Sequence, residues 1–127
     1  MTSFHISITH IFITKGRTIM KLNIYDKKKI VKTYSVDTYD LMWGVVEDVA
    51  NAIKLDELKT GNQDEIIKLV ANFVVSGRDT VNYLLKDIFD GITDEELRCV
   101  RVSEIVTVLV DVVKFTIAQL GKMTEKN

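Results

Sequence analysis

The only cysteine, Cys99, lies between Arg98 and Arg101, and flanking guanidinium groups lower a thiol's pKa toward a reactive thiolate. A nucleophilic thiol also needs a base beside it. Both histidines, His5 and His10, fall within the first nineteen residues. Beyond Met20, therefore, no Ser–His, Cys–His or histidine–metal arrangement can be assembled, and Cys99 reads as a buried or incidental thiol. Asp94-Glu95-Glu96 offers three consecutive carboxylates, the raw material of a cation site or an acid–base pair. Their place has a structural cause instead. Thr93 stands as a helix N-cap with Glu96 three positions on, the spacing of a full capping box, and acids in a first turn are favoured by the helix dipole. Lys27-Lys28-Lys29 could touch phosphate, but a single triplet in a slightly acidic chain reads as a solvated turn tip. Gly91 is isolated, and no phosphate-cradling GxGxxG or GxxxxGK[ST] pattern occurs. No catalytic residue, metal ligand or cofactor is assigned.

The chain has 127 residues, enough for one domain and too few for two ordinary ones. Hydrophobic residues make up 46% and charged residues 28%, a globular balance rather than a disordered one. Seventeen basic against eighteen acidic side chains leave a net charge of −1, which supplies no general attraction for nucleic acid or an anionic membrane. A helix-turn-helix reader needs a basic recognition helix, and the candidates after Asn62, Gly77 and Thr93 begin neutral, mixed or acidic. One cysteine excludes a disulfide framework, and no apolar run is long enough to span a bilayer. The absence of proline favours long uninterrupted helices. The class expected is a soluble, intracellular, mainly α domain.

Residues 1–19 differ from the rest. They carry no acidic residue, and Phe4, Ile6, Ile8 and Phe12 nearly alternate with polar positions, as in a strand. They make a poor signal peptide, since the apolar stretch is broken by Ser7, Thr9 and His10. Lys15-Gly16-Arg17 can be encoded by a purine-rich tract resembling a bacterial ribosome-binding site, with Thr18 and Ile19 as spacer before Met20. The expectation is that translation starts at Met20 and residues 1–19 are an upstream extension. An added edge strand is the alternative, and an intact His5 peptide in mass spectra of natively expressed protein would refute the start at Met20.

From Met20 the pattern is a β-hairpin followed by a bundle of four to five helices. Lys21 to Tyr25 alternates polar and apolar, and after the charged turn Ile30 to Ser35 resumes with β-branched and aromatic residues, giving a hairpin over 21–35. Leu41, Met42, Val45, Val46, Val49, Ala50 and Ile53 then form one helical stripe over 38–54, with Asp37 or Thr38 as cap. Trp43 sits off the centre of that stripe. It is expected to pack on the hairpin, as large aromatics usually find burial within their own chain; the alternative is a partner anchor. Leu55–Gly61 is a polar connection with room for a helical turn. Asn62 stands at capping distance from Glu65, and Ile66, Ile67, Val70, Phe73 and Val74 define a helix over 63–76 that stops at Ser76-Gly77. Val81, Leu84, Leu85 and Ile88 define another over 78–89, closed by Phe89-Asp90-Gly91, and the capping box opens a short helix over 93–99.

The last helix, expected over 103–120, is rich enough in valine to suggest a strand. Glu104, Thr107, Asp111 and Lys114 decide for a helix: their spacings of three, four and three make one stripe on a helix and no consistent face on a strand. So thin a polar stripe belongs to a helix that is central to a bundle or covered by another chain. The expected partner-facing set is Val106, Leu109, Val113, Phe115 and Ile117, with Trp43 beside it; burial of most of these in the core is the competing reading. Residues 121–127 read as a polar tail.

Three stretches carry a family resemblance: Met20-Lys-Leu-Asn-Ile-Tyr; Tyr39-Asp40-Leu41-Met42-Trp43-Gly44; and Asp87-Ile88-Phe89-Asp90-Gly91-Ile92-Thr93-Asp94-Glu95-Glu96-Leu97. Together they resemble the tail assembly chaperones of long-tailed phages and prophages of Gram-positive bacteria, over about residues 20–120. The segment from Phe89 to Leu97, with Phe89, Gly91, Thr93 and Glu96 as its structural motif, is the most specific. Family members often carry proline at Asp90 and a leucine-like residue at Ile92.

The resemblance implies a non-enzymatic protein with no active site to transfer. It would bind the long, aggregation-prone tape measure protein in the host cytoplasm, help recruit tail tube subunits, and be absent from the mature virion. It further implies a longer frameshifted product, and Leu120-Gly121-Lys122 can be encoded with the slippery heptamer G-GGA-AAA. A homo-oligomer is a further expectation; nucleic acid and membrane are not expected partners. A mean hydropathy of +0.10 suits a holder of apolar clients. A head–tail joining adaptor and a small regulatory protein are the competing functions.

Overall fold

The alternation in the first strand becomes a two-sided ribbon with one buried face. The computed structural model describes residues 18–125, with side chains through residue 119. Strand β1 (Ile19–Asp26) buries Met20, Leu22 and Ile24, while Ile19 and Lys21 face outward. Burying side chains of this kind contributes about 1.5–3 kcal/mol each. β1 pairs antiparallel with β2 (Lys29–Asp37) through a two-residue Lys27-Lys28 turn, and Lys27 takes φ 61°. Ile24 pairs with Lys32 and Tyr25 with Ile30, so Val31 is the extra residue of a bulge in β2. The hairpin is longer than the 21–35 expected. Pairing runs back to Ile19, and beyond it the Thr18 N–H donates to the Thr38 hydroxyl oxygen while the Thr38 N–H donates to the Thr18 carbonyl. The folded domain therefore includes at least Thr18 and Ile19; the rest of the N-terminal segment lies outside the described residues.

That extension moves the start of the first helix. Thr38 does not open it, because its hydroxyl and backbone N–H are both held by Thr18. The chain makes a 3₁₀ turn over Thr38–Asp40, capped by Asp37 accepting from the Tyr39 N–H, and runs extended through Leu41 and Met42. Helix α1 (Trp43–Ile53) begins there with no side-chain cap and ends on Lys54 in the left-handed region. Val45, Val46, Val49 and Ile53 are buried as the stripe predicts. Met42, lying ahead of the helix, is not.

A 3₁₀ turn over Leu55–Glu57 leads to α2 (Gln63–Ser76), then Gly77 and α3 (Arg78–Ile88). The Asn62 side chain caps α2 by accepting from the Glu65 N–H. The Glu65 carboxylate does not return to Asn62; it gathers the N–H groups of Lys59, Thr60 and Gly61 and the Thr60 hydroxyl, which fixes the loop entering α2. Gly77 serves both helices, and a Cβ there would come within 3.2 Å of the Phe73 ring. All four stripe residues of α3 are buried. Gly91 turns the chain at φ 91°, where side chains are strained, and the expected capping box opens a single-turn α4 (Asp94–Leu97), shorter than the 93–99 expected.

Helix α5 (Val102–Glu125) is the axis of the molecule. It packs on α2, β1 and α1, and Val108, Leu109, Val112, Val113 and Thr116 form a continuous fully buried stripe. It runs past residue 120, so the expected unstructured tail is helical as far as Glu125. No proline interrupts this stretch, and a single glycine, Gly121, is tolerated inside a helix. The architecture is an antiparallel hairpin followed by a bundle of helices, with the core where β1, α1 and α2 pack on α5 and α3 packs on α1 and α2. Among the described residues, no helix is long and apolar enough to cross a membrane.

Candidate protein-binding surface

The residues with chemical potential are engaged in holding the hairpin to the helices. The Glu96 carboxylate accepts from the Thr93 N–H at 3.1 Å and the Tyr34 hydroxyl at 2.6 Å, and pairs with Lys32 at 3.1 Å. The Tyr34 hydroxyl, then the Thr93 N–H, hold its pKa down at about 2. Asp94 pairs with Lys86 at 2.6 Å. The carboxylates of α4 thus join β2, α3 and α4. On the paired strand β1, Glu104 accepts from the Asn23 N–H at 2.9 Å and the Tyr25 hydroxyl at 2.5 Å. Burial opposes the Glu104 carboxylate, but these two donors, with the Asn23 side chain and the Arg101 charge, together outweigh it and hold its pKa below the ordinary range. The Arg101 guanidinium lies over the Tyr25 ring at 4.2 Å, and the Cys99 carbonyl accepts from the Tyr25 N–H at 2.9 Å. The Cys99 side chain is exposed, which rules out the buried thiol and leaves the incidental one of the two readings. Among the described residues, no group of three His, Cys, Asp or Glu side chains is placed to hold a metal ion.

The expected partner-facing residues of α5 separate into two sets. Leu109 and Val113 are fully buried, so neither can meet a partner while the domain is folded; the thin polar stripe reflects a helix central to its own bundle. Val106 and Ile117 are half-buried and pack on the margin of the core. Phe115 is half-buried and lies against Tyr39, ring centroids 6.0 Å apart and tilted by 51°. In the structural motif, Phe89 is 1% exposed and belongs to the core, while Gly91, Thr93 and Glu96 form the turn and box described above.

Trp43 does not pack on the hairpin. It is 61% exposed and its neighbour Met42 is 73% exposed. At about 100° per residue, Trp43 stands roughly a quarter-turn from the centre of the stripe formed by Val45, Val46, Val49 and Ile53. With Tyr39 half exposed and resting on Phe115, the segment 39–43 presents three large apolar side chains to solvent.

Beside Met42 lies a groove of about 420 Å³ between the end of β2, the extended residues before α1, and the end of α3. Its apolar lining comes from Val36, Leu41, Met42, Val45 and Ile88, and its acidic lining from Asp37, Asp40, Asp87 and Asp90. Sequence reading missed this groove because it joins positions near 40 to positions near 88. The available signal was the pairing of acids with apolar residues at both places, Asp40-Leu41-Met42 and Asp87-Ile88. Negative charge continues along α1 and α3: the charges of Asp48 and Asp87 raise the pKa of Tyr83, whose hydroxyl donates to Asp48 at 3.3 Å. A second hollow, about 470 Å³, is lined by Ala50, Asn51, Leu55, Asp56 and Ile117.

Compared with known proteins, the chain matches no family model, no curated protein and no solved structure.

Proposed function

We propose that this chain is a non-enzymatic assembly chaperone of the long-tailed phage type. In this reading it works in the host cytoplasm, holds the tape measure protein before the tail tube encloses it, and helps recruit tube subunits, the latter through a longer frameshifted form. The observation that carries the reading is the exposed Tyr39–Met42–Trp43 surface beside an apolar groove. The core closes without these side chains, and aromatic and methionine side chains in such a place are typical anchors for a protein partner. The resemblance of segments 39–44 and 87–97 to the chaperone family bears on the same region, since both segments contribute to the groove.

The test is co-expression of the full chain with the tape measure protein encoded downstream, scored by the client's solubility and co-purification. Solubilisation that is lost in the Met42→Ala/Trp43→Ala variant supports the reading; a client that stays insoluble and unbound refutes it. A head–tail joining adaptor is the second reading, favoured by β2, where Ile30 and Val31 are 54% and 61% exposed on a sheet that has two strands among the described residues. A stable ring in solution and presence in purified virions would put it first.

A further inference from the structure

We propose that the groove between the end of β2 and the end of α3 binds a cationic amphipathic segment of the client, with large apolar side chains on the floor and Lys or Arg at the rim. The inference rests on the client-binding reading and adds the chemistry of what is bound. Leu41, Met42, Val45 and Ile88 give the floor. Asp40, Asp87 and Asp90 stand exposed around it, and among the described residues no basic side chain contributes to the lining. Lys86, beside Asp87 in sequence, is committed to Asp94.

These two features together select the occupant. A neutral apolar segment would fill the floor but strip water from the carboxylates without offering them a cation. An acidic segment would be repelled, and a polar cationic one would leave Met42 and Trp43 uncovered. Only a segment carrying both aliphatic bulk and positive charge satisfies floor and rim, the charged heads reaching the aspartates while their stems cover apolar surface. Met42 adds adaptability, since unbranched thioether side chains conform to varied apolar shapes.

Trp43 is the only tryptophan and adjoins the groove through Met42, so its emission reports occupancy in the unlabelled full chain. The probes are two synthetic 18-residue amphipathic peptides of one pattern, one of Leu and Lys, the other of Leu and Glu. The Leu–Lys peptide is expected to shift Trp43 emission to the blue and to bind at least about tenfold more tightly than the Leu–Glu peptide, with an affinity that falls as salt is raised. Asp40→Asn/Asp87→Asn/Asp90→Asn should weaken it on the order of tenfold. A control on exposed acids elsewhere, Glu57→Gln/Asp64→Asn/Asp79→Asn, should not, and Asp87→Lys/Asp90→Lys should shift the preference toward Leu–Glu.

Equal binding of the two peptides, or equal weakening by both neutralised variants, overturns the proposal. If a neutralised variant unfolds, loss of the Leu–Lys preference at high salt in the unaltered chain decides the same point. A Trp43 shift with rising protein concentration alone would give the groove to a second copy, whose Lys27–Lys29 tip with Ile30 and Val31 is also cationic and apolar. A Trp43 shift caused by Lys15→Glu/Arg17→Glu without peptide would give it to the chain's own N-terminal segment. Either result also overturns the proposal. Capture of the tape measure protein without any Leu–Lys preference overturns the groove chemistry alone, whereas Leu–Lys binding as described without capture overturns the proposed function and leaves the groove.

Discussion

Replacing Thr116 by valine should stabilise this protein, and replacing Thr38 by valine should destabilise it, although both threonines are fully buried. The difference lies in where each hydroxyl sits. Thr116 Oγ1, on the core stripe of α5, has no hydrogen-bond partner among the described residues, whereas Thr38 Oγ1 accepts from the Thr18 N–H at 2.9 Å. A buried hydroxyl without a partner costs about 1–3 kcal/mol on the scale of protein mutations. Valine keeps the shape of threonine and removes that cost, so Thr116→Val should gain about 1–2 kcal/mol. Thr38→Val leaves a part-buried backbone N–H without its acceptor and should lose a similar amount. For 127 residues, an unfolding entropy of about 2.1 cal/mol/K per residue gives about 0.27 kcal/mol/K at the midpoint. The expected shifts in Tm are therefore roughly 4–7 °C upward for Thr116→Val and about as much downward for Thr38→Val. Calorimetry or circular-dichroism melts of the two single variants and the double variant read this directly, and the double variant should fall near the unaltered protein because the sites share no hydrogen bond. A lower Tm for Thr116→Val would refute the reasoning, showing that its hydroxyl is satisfied, for example by back-bonding to the carbonyl of the preceding turn.

Further outcomes are expected. Leu109→Ala should cost about 3–5 kcal/mol in urea unfolding, because the side chain is fully buried; a loss below about 1 kcal/mol would return this face of α5 to a partner. Gly44→Ala should stabilise α1 by about 0.5–1 kcal/mol, since a Cβ there meets open space in a helix. Gly91→Ala should destabilise by about 1 kcal/mol or more, because its φ of 91° strains any Cβ; thermal melts separate the two signs. Acid unfolding should depend on Glu65 and Glu96, both held at about 2. Lowered folded-state values mean that their stabilisation is complete above the ordinary carboxylate range near 4.5 and is lost as pH falls toward 2. Stability measured between those limits should therefore fall less steeply in Glu65→Gln/Glu96→Gln than in the unaltered chain. Asp111 works in the opposite direction, since burial raises its pKa, and its protonation on acidification offsets part of the loss.

The elements of this protein were legible in its residues because they are set by local periodicity and capping. Alternation at Met20, Leu22 and Ile24 specified a strand with one buried face, and the spacing of Val81, Leu84, Leu85 and Ile88 specified a helix and the side it buries. Thr93 and Glu96 specified a helix start through their own side chains. The polar positions of α5 distinguished helix from strand, but they could not say what covers its apolar sides; only the packing of α2, β1 and α1 around it puts Leu109 and Val113 in the core. The place where α1 begins was likewise a tertiary decision. Thr38 has the chemistry of a cap, yet pairing with Thr18, twenty residues earlier, holds it in the hairpin. That displacement leaves Met42 ahead of the helix and Trp43 on its first turn, so both side chains reach solvent. The acidic groove depends on the same cause: Asp40 and Asp87 become neighbours of one hollow only when the hairpin and α3 are brought together. Sequence alone determined which segments could be helix or strand, since those preferences are local; the surface left for a partner followed from contacts between residues far apart in the chain.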